Sequence, residues 1–118
     1  MNMFTANING WSSWGKIFQS VKDFEPLIKY IFNRHNLPFT GLEHCTPGTN
    51  AVFKVGDFVV KIFAPKESGM DSDLDYRTEL FGMERANRLG IPAPQLVARG
   101  TIEDKYMFHY LIMEYISG

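Results

Sequence analysis

The sequence is short of several features that would each commit it to a class of protein. It has a single cysteine, Cys45. No internal disulfide can form, which fits a reducing compartment and makes a cytoplasmic location the expectation. The three histidines, His35, His44 and His109, are scattered, and no spacing among them and Cys45 resembles a zinc site. No apolar run approaches the roughly eighteen residues of a membrane span. The opening "MNMFTANING" lacks the cationic start and apolar stretch of a secretory leader. Twelve Lys and Arg stand against thirteen Asp and Glu without a clustered basic face, so neither nucleic acid nor membrane is an expected partner. Repeats and low-complexity tracts are absent.

What the chain does have is apolar and aromatic mass. Of 118 residues, 45% are hydrophobic, with ten Phe, five Tyr and two Trp. That suits one domain, or a piece of one, with a real core rather than a disordered chain. Apolar residues recur at helical spacing at Trp14, Ile17, Phe18 and Val21, then at Leu27, Ile28, Ile31 and Phe32. Glu25-Pro26 interrupts them, which predicts two consecutive helices divided there. Asn36 before Leu37-Pro38 predicts the stop.

After Phe39 the pattern turns to short β-rich runs: "TGLEHCT", "AVFKV" and "DFVVKIF". Turn residues around Pro47 to Asn50 and at Gly56-Asp57 separate them. A helix then follows, with Tyr76, Glu79, Leu80, Met83 and Ala86 on one stripe. Ser72 and Asp75 give a capping-box-like start, Asp71 and Asp73 suit the helix dipole, and Gly90 and Pro92 end it. Two further strands fall around "PQLVARGTI" and "FHYLIMEYI". The fold class predicted is α+β: a small antiparallel sheet of about five strands with one packed helix and N-terminal helices. Residues 1–39 form the helical segment and residues 40–118 the sheet-bearing lobe.

Lys61 is the residue that asks for an explanation. It stands among Val59, Val60, Ile62 and Phe63, with apolar neighbours on both faces of its strand. An unpaired buried charge costs several kcal/mol. The ammonium therefore snorkels out, guards an edge, or meets an anion. Glu79 sits within the apolar stripe of the next helix and should face the sheet. Glu84 is turned about 100° away by the helical rotation and is the poorer candidate. A purely structural ion pair would have the same sequence pattern as a functional one.

Four stretches carry a family resemblance: "PGTNAVFKV", "FVVKIF", "YRTELFGMERANRLGIPAPQLVARG" and "FHYLIMEYISG". In order and spacing they resemble the N-terminal lobe of the aminoglycoside phosphotransferase-like small-molecule kinases, which share the protein-kinase-like fold. The likeness covers roughly Thr40 to Gly118. It implies that Lys61 contacts the nucleotide's α- and β-phosphates and is held by Glu79. It also implies that backbone N–H groups at Gly48, Thr49 and Asn50 cradle phosphate, although no Walker lysine and no kinase glycine triplet is present. Val52 and Val59 would wall the adenine pocket and Met113 would stand at the gatekeeper position. Glu114 and Ile116 would offer a backbone carbonyl and amide to the adenine edge.

The resemblance also marks what the chain lacks. The family's catalytic aspartate and metal-holding asparagine lie in an H-x-D-x-x-x-x-N stretch of the C-terminal lobe, and no such stretch occurs here. The expectation is half of an ATP- or GTP-dependent phosphotransferase, inactive alone, with Mg and the small-molecule hydroxyl acceptor belonging to the missing lobe. A different class is a non-catalytic binding or dimerisation module, a degenerate kinase lobe. Self-association through an exposed cleft face around Met113 and Ile116 is a further expectation. "DSDLD" fails as a calcium loop, because Tyr76 and Gly82 occupy the positions needing Gly and Glu. "WSSW" has no partner His or Asp in a hydrolase setting.

Overall fold

The computed structural model describes residues 2–45, 50–70 and 72–115. Helix α1 spans Trp11–Ile17 and α2 Val21–Arg34. Strands β1 (Glu43–His44), β2 (Ala51–Val55) and β3 (Phe58–Ile62) follow, and a 3-10 turn at Lys66–Ser68 leads into α3 (Ser72–Leu89). Strands β4 (Leu96–Glu103) and β5 (Met107–Glu114) complete the order. The strands form one antiparallel sheet in the order β1-β2-β3-β5-β4, so the α+β expectation holds.

Local chemistry explains most boundaries. The helix break falls not at Pro26 but at Ser20, which leaves helical geometry and accepts a hydrogen bond from the Asp23 amide at 3.2 Å. Pro26 lies inside α2. On the exposed side of its early turns, it orphans only one carbonyl that solvent can reach. The stop at Asn36 is as read: its φ is 57°, and the Leu37 amide bonds back to the Phe32 carbonyl at 2.9 Å, a Schellman closure.

Gly56 opens the β2–β3 turn with φ 60° while Asp57 keeps an ordinary φ, as in a type II′ hairpin. Ser72 does not cap α3. It is that helix's first residue, and its hydroxyl donates instead to the Ala64 carbonyl, tying α3 to the segment after β3. Asp73 and Asp75 do lie in the first turn; Asp71, also proposed for the start, lies outside the described residues.

Strand alternation gives the sheet two apolar faces, and helices cover both. Val60, Ile62, Phe108, Tyr110 and Ile112 share one core cluster with Phe4, Trp14, Phe24, Leu27, Ile31 and Phe32. The N-terminal helices therefore bury their stripe against the sheet rather than in a core of their own. Phe63, Leu111 and Met113 meet Tyr76 and Leu80 of α3 on the opposite face. The N-terminal strap is pinned by Asp104, whose carboxylate accepts from the Met3 and Phe4 amides at 3.0 and 2.8 Å.

Candidate functional site

The α3 face of the sheet carries the chemistry. Val52 lies directly across from Lys61 on β2, and Leu111 lies across from it on β5. Val59 stands between Lys54 and Met113. Because cross-strand partners share a face, four of the residues singled out in the sequence, Val52, Val59, Lys61 and Met113, line one surface. Val52 and Val59 are half-buried there.

α3 leans over the β5 side of this surface and brings Glu79 to Lys61. The lysine Nζ donates to Glu79 Oε2 at 2.7 Å, with the two side chains 24% and 33% exposed. The Phe63 ring centroid is 5.2 Å from the same Nζ. Glu84 turns the other way, to Arg99 at 4.0 Å. The ammonium is thus neither snorkelled into bulk water nor on an edge strand, since β3 lies between β2 and β5. It is held at the rim of the α3 interface, desolvated on one side and reachable on the other.

The remaining sequence-derived positions fall less evenly. Asn50 is buried, and its carboxamide oxygen accepts from the Ala64 amide at 2.9 Å. That side chain clamps the start of β2 to the end of β3. Gly48, Thr49 and Ile116 lie outside the described residues. Glu114 is exposed at the end of β5, and its amide donates to the Gln95 carbonyl at 2.9 Å. Met113 is only 9% exposed, packed with Leu80 and Leu111. The expected exposed patch at Met113 is therefore corrected: α3 covers it.

Two residues escaped the sequence reading. Lys54 shares the Lys61 face, with its Nζ 4.5 Å from the Tyr115 ring centroid and 3.7 Å from Glu43. The alternation of "AVFKV" carried that signal. His109, set aside as one of three scattered histidines, stacks on Tyr76 at 4.5 Å and 9°. Its Nδ1 lies 2.7 Å from Thr101 Oγ1, and its Nε2 lies 3.1 Å from Asp73 Oδ1, out of line for a hydrogen bond. Burial pushes the Tyr76 phenol above its usual pKa, so it stacks as a neutral ring. These contacts fix the first turns of α3 over the sheet and thereby the height of Glu79. No spacing rule links residues so far apart in the chain.

Chemically, the surface offers one oriented ammonium beside an apolar floor, which suits a ligand that is anionic at one end and flat and apolar at the other. No group of metal-ligating side chains occurs among the described residues. Two concavities lie elsewhere, one of about 400 Å³ beside Tyr30 and Phe39 and one of about 460 Å³ outside α3. Among the described residues no helix is long and apolar enough to cross a membrane. Comparison with protein-family models and with curated proteins found no match.

Proposed function

We propose that this chain is the nucleotide-binding lobe of an ATP- or GTP-dependent phosphotransferase of the aminoglycoside phosphotransferase-like kind, acting on a hydroxyl of a small polar or cationic molecule. One observation carries the reading: the 2.7 Å bond between Lys61 on the third strand and Glu79 on the following helix. In kinases of the protein-kinase fold a third-strand lysine, paired with a helix glutamate, orients the phosphates.

Here Lys61 is the phosphate-facing cation and Glu79 fixes its direction. Val52 and Val59 floor the base pocket. The backbone from Gly48 to Asn50 is the proposed phosphate cradle, and the backbone at Glu114 and Ile116 the proposed base contact. The bound nucleotide supplies the phosphoryl group. Mg and the general base belong to a second lobe, since this sequence has no H-x-D-x-x-x-x-N stretch. The lobe alone binds nucleotide weakly and transfers nothing.

Titration with a ribose-labelled fluorescent ATP tests this reading. Binding should be weak in the wild type, lost in Lys61→Met and reduced several-fold in Glu79→Gln. Equal binding by the wild type and Lys61→Met would overturn the assignment.

A further inference from the structure

The outer stripe of α3, turned away from the sheet, has no role in the nucleotide reading. Leu74, Thr78, Phe81, Arg85 and Arg88 recur along it at alternating spacings of four and three, the spacing of a helix-pairing seam. All are exposed, Phe81 to 65% and Leu74 to 57%. Leu89, 57% exposed, flanks the seam. Gly82 lies beside Phe81, and a Cβ there would meet nothing within 4 Å. A mid-helix glycine that no neighbour requires, next to a bare phenylalanine, leaves room for another chain to approach closely.

Charges on and beside this stripe are self-complementary: Arg85 lies on it, and Asp75 flanks it, one residue and about 100° of helical rotation from Leu74. Asp75 and Arg85 are exposed, and among the described residues neither has an ion-pair partner. They stand five residues either side of Leu80. When two copies of α3 run antiparallel about a two-fold axis at that level, each Asp75 comes level with Arg85 of the partner subunit. The pair forms twice. Phe81 then comes level with residue 79 of the other copy, near the two-fold axis and within reach of the partner subunit's Phe81.

We infer that α3 is the interface of a homodimer, its outer stripe packed antiparallel on the same stripe of a second copy. This surface is distinct from the cleft face at Met113, and it leaves Lys61 accessible. A helix of 18 residues is about 27 Å long, and one such pair buries less than the roughly 1,200 Å² of a standard stable interface. The association is therefore weak and concentration-dependent.

Sedimentation velocity on the 118-residue chain, from micromolar to millimolar, tests it. The wild type should pass from monomer to dimer, and Phe81→Glu should remain monomeric. Asp75→Arg and Arg85→Asp should each weaken pairing by about tenfold, and the double exchange should restore it, since the two charges then meet with signs reversed. Circular dichroism confirms that each variant folds; if Phe81→Glu loses helix, Phe81→Ser takes its place. A wild type that stays monomeric at millimolar concentration would overturn the proposal. So would a dimer indifferent to the Phe81 substitutions, or a double exchange no better than either single one.

Discussion

Lys61 and Glu79 hold one another in a half-dry setting, and the setting fixes what the pair is worth. Fully exposed pairs contribute about 0–1 kcal/mol, and breaking a fully buried one costs about 3–5 kcal/mol. At 24% and 33% exposure, Glu79→Gln should cost roughly 1–2 kcal/mol, read from urea denaturation. Replacing both partners with apolar residues, as Lys61→Met with Glu79→Leu, should return most of that loss, because no charge is then left half-buried. A double variant as unstable as the sum of the singles would show that the two side chains contribute independently and that the pair carries no coupling of its own. Two glycines make a second residue-scale contrast. A Cβ at Gly100 would lie 2.5 Å from the hydroxyl of buried Tyr110, so Gly100→Ala should cost about 1–3 kcal/mol. Gly82→Ala meets open space and should stabilise the monomer by up to about 1 kcal/mol. Thermal melts on dilute samples separate the two signs.

At the scale of elements, the N-terminal strap is a lever on the main core. Phe4 is fully buried against Phe24 and Phe108, yet Asp104 across the molecule holds its amide. Burial pushes the Asp104 carboxyl up, but the amide hydrogen bonds from Met3, Phe4 and Lys105 outweigh it and hold the pKa below the usual value. A carboxylate depressed on folding stabilises above its unfolded pKa, near 3.9, and that stability is lost as pH falls through the lower folded value. The hydrogen-exchange protection of the Phe4 amide, relative to its intrinsic rate at each pH, should therefore fall below about pH 4, ahead of protection in β3 and β5. Asp104→Ala should produce the same local opening at neutral pH and cost about 1–3 kcal/mol. Simultaneous exchange of strap and strands would show that the strap has no separate equilibrium.

The elements also show what could be read in advance. The strands were legible because "AVFKV" and "FVVKIF" alternate and Gly56-Asp57 permits one tight turn. The α3 stripe was legible because Tyr76, Glu79 and Leu80 repeat at helical spacing, and that placed Glu79 toward the sheet. The break between α1 and α2 was misplaced because Pro26 is a louder signal than Ser20, although the serine supplies the cap. The Ser72 hydroxyl was misassigned because its acceptor, Ala64, is brought there only by tertiary folding. His109 and Lys54 went unnoticed for the same reason: their partners lie on other elements.

The whole molecule is a sheet between two helical layers, one heavily aromatic and one that carries Glu79. The aromatic side anchors the sheet, so the opposite face can keep a cation half-uncovered without loss of the fold. α3 then has two surfaces with separate tasks, an inner one that positions Lys61 and an outer one that is self-complementary.

For this face to bind nucleotide, Lys61 and the valines beside it must form one ligand surface. The most direct test is a methyl and amide chemical-shift map of the chain as Mg·ATP is added. Val52, Val59 and Lys61 should move together and saturate along one binding curve, with α1 and α2 still. Shifts confined to α1 and α2, or none at the three β2 and β3 positions at saturating nucleotide, would contradict nucleotide binding at this face.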